Sequence, residues 1–121
     1  MENIVRLENI GNKEDMDNIR DLTDCIVHQV DPLKVILFGS FADGSYTDES
    51  DYDFYIIIDD EESIPKTSFL VNKAIREKMK RPVDIVIGKK TRFEQKRRIS
   101  NSMMIESEVL QKGILLYDRI N

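Results

Sequence analysis

Three short, almost continuously apolar segments limit what this chain can fold into. They are KVILFG at residues 34–39, DFYIII at 53–58 and PVDIVIG at 82–88. Segments of this length, rich in β-branched and aromatic residues and bounded by glycine, are typical of buried β-strands. A shorter run at residues 114–117 adds a fourth candidate. We therefore expect a small sheet built from buried strands.

Helical spacing fills the segments around these strands. Apolar residues recur every three or four positions in residues 14–30, where Asp31 and Pro32 end the pattern, and again in residues 64–80 and 103–112. Thr91 and Glu94 form a Thr-x-x-Glu capping box that predicts a helix start, and Gly113 predicts a left-handed helix end. The order helix, strand, strand, helix, strand, helix, strand predicts an α+β fold, a small mixed sheet with helices packed on it. Residues 1–11 give no assignment.

Length and composition favour a single soluble domain over residues 1–121. Of the 121 residues, 40% are hydrophobic and 34% are charged, as in a globular protein that builds one core. No apolar run approaches the roughly 20 residues that span a bilayer, and the N-terminus lacks a signal-peptide pattern. Cys25 is the only cysteine, which excludes an internal disulfide and indicates a reducing, cytoplasmic location. His28, the only histidine, gives no support to a zinc site or a histidine-based triad.

Acidic and basic residues are segregated along the chain. Nine acidic residues and no basic one lie between Lys34 and Lys66, whereas twelve basic residues face three acidic ones from Lys66 to Arg98. A solvated surface explains much of this, but a metal–polyphosphate site needs the same separation. The basic segment 89–98 is either a solvated helix face or a surface for a triphosphate, an acidic partner or RNA. Its single aromatic residue, Phe93, disfavours base stacking, so we do not expect direct nucleic-acid binding.

Three aspartates stand where the predicted strands begin. Asp51 and Asp53 are two residues apart and point to the same side of an extended chain, and Asp84 lies inside another apolar strand. If those strands are neighbours, three carboxylates converge and repel one another unless cations bridge them. Mg²⁺ typically takes one or two carboxylates together with substrate phosphates. The alternatives are a turn or cap role for Asp51 and an ion pair between Asp84 and Arg81 or a lysine.

Gly39 and Ser40 follow the first strand and add a second functional signal. A glycine at a strand end lets the backbone turn and lets a ligand approach closely. A serine at a helix start offers its hydroxyl and its amide to phosphate oxygens. A Gly-Ser pair alone is weak evidence, but here ten residues separate it from the Asp-x-Asp pair.

The segment GSFADGSYTDESDYD, read as G-S-x10-D-x-D, resembles the signature of the polymerase-β-like nucleotidyltransferase superfamily. The short chain and the later VDIVI segment are similar to its minimal nucleotidyltransferase (MNT) branch, with a motif core at about residues 33–88. The resemblance implies that Gly39 and Ser40 hold nucleotide phosphates. It also implies that Asp51, Asp53 and Asp84 are catalytic and bind two Mg²⁺ ions, or Mn²⁺ in their place, with ATP as substrate.

Two departures from the family pattern affect this interpretation. Many relatives have a basic residue or tyrosine directly after the Gly-Ser pair and often Arg or Lys two residues further on, where this chain has Phe41 and Asp43. A phosphate contact from this loop would then have to come from another basic residue. Larger relatives also carry an added substrate-holding domain, for which 121 residues leave no room, so we expect the acceptor to come from elsewhere.

The resemblance implies transfer of a nucleoside monophosphate, AMP from ATP, to a hydroxyl on a partner protein. In the MNT branch this makes the protein an antitoxin that silences a separate HEPN-domain ribonuclease toxin. Two alternatives remain: an antitoxin that acts by binding alone, and a small-molecule nucleotidyltransferase of the aminoglycoside-modifying kind. A homo-oligomer also stays open, since nothing in the sequence fixes the oligomeric state.

Overall fold

A computed structural model describes residues 12–98 and 105–119 of the chain. This part contains four strands and five helices. In chain order they are α1 (Lys13–Val30), β1 (Lys34–Phe38), α2 (Ser40–Asp43), β2 (Tyr52–Ile58), α3 (Ile64–Ile75), β3 (Val83–Lys89), α4 (Lys90–Arg98), α5 (Ile105–Lys112) and β4 (Ile114–Asp118). No helix in these two ranges is long and apolar enough to cross a membrane.

The two long helices begin and end where side chains or turns satisfy their backbone groups. Asn12 caps α1, because its side chain accepts a hydrogen bond from the amide of Asp15 at 2.9 Å. Asp31 adopts a left-handed conformation with φ of 46° and ends α1 directly before Pro32. Ser63 caps α3 in the same way as Asn12 caps α1, through the amide of Lys66.

The four strands form one mixed sheet with the order β3-β2-β1-β4. Strand β1 is antiparallel to both of its neighbours, β2 and β4, whereas β3 runs parallel to β2. A parallel pair needs a crossover connection, which α3 provides between β2 and β3. The predicted α+β fold with a small mixed sheet is therefore confirmed.

Helices cover both faces of the sheet, which explains why the strands are continuously apolar. Phe54 and Ile56 point to the face that packs against α1 and α3, here called the first face. Tyr55 and Ile57 point to the opposite, second face, where they meet Phe93 of α4 and Val109 of α5. The side chains of β2 thus alternate between two separate apolar clusters.

Helix α3 is shorter than its spacing predicts, ending at Ile75 and not at Lys80. The side chain of Asn18, in α1, donates to the carbonyl of Lys78 at 2.8 Å and accepts from the amide of Lys80 at 3.2 Å. These bonds hold the chain in a turn that leads towards β3. Met79, which contributed to the predicted apolar face of the helix, is accordingly exposed.

Two local predictions fail for identifiable reasons, and one short helix is missed. Thr91 does not cap a helix: it lies inside α4, and its amide and hydroxyl both donate to the carboxylate of Asp60. Gly113 ends α5 without a left-handed conformation, and a β-carbon there would lie 2.3 Å from the carbonyl oxygen of Val109. Helix α2 has only four residues, too few to leave a helical pattern in the sequence. The predicted start of a helix at Met103 lies outside the described residues.

Candidate active site

The end of β1 and the starts of β2 and β3 meet at one edge of the sheet. In the strand register, Phe38 is paired with Asp53, and Asp53 is paired with Asp84. Paired residues on neighbouring strands project to the same face, so both carboxylates lie side by side on the second face. Two of the three predicted site aspartates are thus adjacent in space although 31 positions separate them in the chain.

Gly39 turns the chain directly beside this pair. Its φ is 76°, a backbone conformation that side chains other than hydrogen rarely tolerate. A β-carbon at this position would also lie 2.1 Å from Oδ2 of Asp53, well inside van der Waals contact. Position 39 therefore needs glycine for two independent reasons, and one of them is the presence of the Asp53 carboxylate.

The environment of Asp53 disfavours a negative charge. Burial raises the pKa of Asp53, and the charge of Asp84 and a hydrogen bond shared with Asp84 raise it further, to about 6. The charges of Asp51 and Glu108 act in the same direction. The negative charge of Asp53 near neutral pH is therefore energetically unfavourable, and a bound proton or cation compensates for it.

Asp51 precedes β2 by one residue and is half-buried at the end of a tight loop. Within this loop the amide of Thr47 donates to the hydroxyl of Ser50 at 2.7 Å, and the amide of Ser50 donates to the carbonyl of Thr47 at 3.1 Å. The loop brings Asp51 close enough to Asp53 for its charge to raise the pKa of that residue. All three predicted aspartates thus lie at one edge of the sheet.

The donor set fits a divalent cation held jointly by protein and substrate. In the ranges 12–98 and 105–119, no three acidic, histidine or cysteine side chains form a ready-made metal site. Mg²⁺ does not need one, because it commonly binds one or two carboxylates together with phosphate oxygens and water. The carboxylates of Asp53 and Asp84, which share a hydrogen bond, are hard oxygen ligands of this kind.

Ser40, Phe41 and Asp43 belong to the short helix α2, which follows Gly39. The hydroxyl of Ser40 makes no hydrogen bond to other described residues and is half-buried. Phe41 is buried in the core of the first face and stacks on Tyr46 with 4.6 Å between the ring centroids. Asp43 accepts hydrogen bonds from the amide and hydroxyl of Ser45. The departures from the family pattern therefore have structural roles in packing and turn formation.

An ion pair that the sequence did not predict lies beside the loop. Arg81 donates from Nε to Oδ1 of Asp15 at 2.9 Å, so the alternative pairing of Arg81 with Asp84 is wrong. The hydroxyl of Tyr52 donates to the same Asp15 oxygen at 2.6 Å. Asp15 belongs to the buried stripe of α1, four residues before Ile19. A carboxylate on the apolar side of an amphipathic helix was the signal available in the sequence.

Helices α4 and α5 close the second face next to the aspartates. Phe93 of α4 is buried against Tyr55, with 5.3 Å between ring centroids, and so is part of the core. The hydroxyl of Tyr55 donates to Oε2 of Glu106 at 2.8 Å, and Gly88 leaves the space that this hydroxyl occupies. Lys90 and Arg92, from the basic segment, are exposed. The first part of that segment is thus a helix with one buried aromatic residue and a charged outer side.

The fold and this acidic edge define a nucleotidyltransferase-type domain. The sequence profile of the family described as "Polymerase beta, Nucleotidyltransferase" matches residues 20–120. Because the match covers most of the chain, this protein belongs to the polymerase β nucleotidyltransferase family.

Two solved structures have a similar fold. One is a proposed nucleotidyltransferase from Sulfolobus solfataricus, with a TM-score of 0.53 and 18% sequence identity, covering 87% of this chain and 81% of that one. The other is a toxin–antitoxin crystallised with AMP-PNP, with a TM-score of 0.57 and 18% identity, covering 82% of this chain and 73% of that one. At this identity the likeness concerns the fold. No curated protein sequence gives a significant match.

Proposed function

We propose that this protein is a divalent-cation-dependent nucleotidyltransferase that transfers AMP from ATP to a hydroxyl on a partner protein. The observation that carries the proposal is the pairing of Asp53 with Asp84 beside Gly39, where a β-carbon would lie 2.1 Å from Oδ2 of Asp53. A structural role alone does not account for two adjacent carboxylates, one of which, Asp84, raises the pKa of the other, Asp53. Family membership supports the same chemistry.

The residues of the edge take separate roles in this proposal. Asp51 and Asp53 bind the cations and so anchor the triphosphate, and Ser40 donates its hydroxyl to a phosphate oxygen. Asp84 orients the acceptor hydroxyl. When bound, two Mg²⁺ ions, or Mn²⁺ in their place, neutralise the triphosphate and lower the pKa of that hydroxyl. The protein contributes mainly positioning and electrostatics.

The transfer itself is a single in-line displacement. The acceptor oxygen forms a bond to the α-phosphorus of ATP while the bond from that phosphorus to the α–β bridging oxygen breaks. The electron pair of the broken bond leaves with pyrophosphate, and the hydroxyl proton passes to the carboxylate of Asp84. The product is an AMP ester of the partner, and no oxidant or reductant is needed.

For the partner, we propose a HEPN-domain ribonuclease toxin that the AMP group silences. A toxin–antitoxin with AMP-PNP is among the structures of similar fold, which supports a protein partner and a nucleotide substrate. Exposed acidic side chains precede and follow β2 in the chain. They favour a partner with a basic surface, such as that of an RNA-cutting enzyme. They are Asp48, Glu49, Asp60, Glu61 and Glu62.

The decisive experiment measures which phosphate of ATP is transferred to the partner protein. The protein, Mg²⁺ and the product of the neighbouring reading frame are incubated with ATP labelled either at the α- or at the γ-phosphate. We expect only the α-label to reach a tyrosine, serine or threonine of the neighbour, and Asp53→Asn to abolish it. Asp24→Asn, at an exposed aspartate of α1 outside this acidic surface, is the control and should retain labelling. Labelling of only the protein itself or a small molecule contradicts the antitoxin proposal.

A further inference from the structure

Arg81 contacts both ends of the ten-residue segment that separates Gly39-Ser40 from Asp51. At the start of the segment, its guanidinium carbon lies 5.0 Å from the centroid of the Phe41 ring. At the end, Nη1 donates to three backbone carbonyls, those of Thr47 at 3.2 Å, Asp48 at 2.8 Å and Ser50 at 3.1 Å. One side chain thereby fixes the path of the loop that delivers Asp51.

The same guanidinium is held from the other side by Asp15. Nε and Nη2 of Arg81 donate to the two oxygens of this carboxylate, which is only 7% exposed. Burial by itself raises the pKa of Asp15, but the hydrogen bonds from Arg81 and Tyr52 outweigh that effect, so its pKa lies below the ordinary range. Asp15 is therefore a fixed negative charge that orients Arg81.

Arg81 is also close in sequence to Asp84. It comes three residues before Asp84, and the carbonyl of Pro82 between them accepts a hydrogen bond from the amide of Tyr52 at 3.1 Å. Tyr52 in turn stands between Asp51 and Asp53. The Arg81 contacts thus connect the loop that carries Asp51 to the start of the strand that carries Asp84.

We infer that Arg81 is a positioning residue that sets Asp51 relative to the Asp53–Asp84 pair, so that a divalent cation and a triphosphate bind together. The inference rests on the proposed function. A purely structural role, neutralising the buried Asp15, needs only a positive charge beside that carboxylate. It does not need the contacts from Nη1 to the carbonyls of Thr47, Asp48 and Ser50, which an arginine can make while its Nε and Nη2 hold Asp15.

The two roles are separated by variants that keep Asp15 satisfied. Arg81→Lys keeps a positive charge next to Asp15 but cannot make the set of carbonyl bonds. The double variant Arg81→Gln with Asp15→Asn removes the ion pair without leaving a buried charge. Arg119→Gln is the matched control, because Arg119 also donates to backbone carbonyls, those of Asp31 and Pro32, but at the opposite end of the sheet.

Two readouts other than catalysis test the inference. Binding of Mn²⁺ is measured by electron paramagnetic resonance in the presence of a non-hydrolysable ATP analogue, and amide hydrogen exchange is measured in residues 45–51. Loss of a group that orients a metal ligand typically weakens binding about 10–100-fold. We expect such a loss, with faster exchange in the loop, in Arg81→Lys and in the double variant, and less than about a twofold change in Arg119→Gln.

The outcomes distinguish this inference from the proposed function. If the wild-type protein does not bind Mn²⁺ with the nucleotide analogue, the proposed function fails and the inference fails with it. If the wild-type protein binds but both Arg81 variants bind equally well, the proposed function stands and the positioning role is wrong. Reduced stability of Arg81→Lys with wild-type Mn²⁺ affinity also contradicts the positioning role.

Discussion

The space beside the α-carbon of Gly39 is filled by the side chain of Asp53 and has no room for a second side chain. The carboxylate of Asp53 fills the position that a β-carbon of residue 39 would take, at 2.1 Å from Oδ2. The glycine of the Gly-Ser pair and the second aspartate of the Asp-x-Asp pair are therefore two halves of one packing arrangement. This contact explains in physical terms why the two short motifs occur together.

Gly39→Ala should destabilise the protein by about 2–5 kcal/mol, since a strained backbone and overpacking against Asp53 both contribute. Gly44→Ala is the matched control: its φ is also positive, at 90°, but nothing lies within 4 Å of the added carbon. There we expect about 1–2 kcal/mol from the backbone alone. Urea unfolding of both variants measures the difference, and equal losses would contradict the proposed contact.

Asp53→Asn should stabilise the metal-free protein, and the gain should depend on pH. Because the folded-state pKa of Asp53 is about 6 and its ordinary value is 3.8, the folded protein keeps a proton between these pH values that the unfolded chain releases. The contribution of Asp53 is complete below about pH 4 and is lost as the pH rises through about 6. Asp53→Asn should therefore gain most at pH 7–8 in the presence of a chelator and almost nothing below pH 4, as measured by urea unfolding. Asp48→Asn should show no such trend.

Mg²⁺ and ATP together should raise the Tm of the wild-type protein, because a ligand that binds only the folded state stabilises it by mass action. At one hundred times Kd the gain is about 2.7 kcal/mol. Asp51→Asn and Asp53→Asn should lose this response while still unfolding cooperatively in a thermal scan. An unchanged shift in both variants rules out the assignment of these two aspartates to the cation site.

Asp84→Ala should separate nucleotide binding from transfer. If Asp84 serves the acceptor side, the variant should lose transfer by about two to four orders of magnitude, the usual contribution of a positioned acid or base. Its Kd for Mg²⁺ and ATP, measured by calorimetry, should stay within a few-fold of wild type. A comparable loss of nucleotide affinity would mean that Asp84 belongs to the triphosphate anchor.

The sheet and the edge that carries the aspartates could be predicted from local patterns. Apolar runs give the strands to within about one residue, and the two-residue repeat of a strand places Asp51 and Asp53 on one side. The adjacency of Asp53 and Asp84 follows once β2 and β3 are neighbours, which the sequence offered only as a condition.

The Arg81 contacts could not be predicted, because they depend on tertiary structure. Arg81 and Asp15 are 66 positions apart, and no local spacing relates them. The capping box failed for the same reason, since Asp60 lies 31 positions from Thr91 yet takes both of its hydrogen bonds. Long-range partners of this kind override local preferences that are correct in isolation.

The parallel register of β2 and β3 determines both the packing of the sheet and the pairing of Asp53 with Asp84. Val83 and Ile85 pack towards the first face, and Asp84 between them projects to the second. If the register of β3 against β2 shifted by one residue, the side chain of Asp84 would point into the apolar layer between the sheet and helices α1 and α3. Val83 or Ile85 would then lie beside Asp53. Misregistered molecules would bury an unpaired charge, so they would be unstable as well as inactive. The register that gives a stable fold is therefore also the register that places Asp53 beside Asp84.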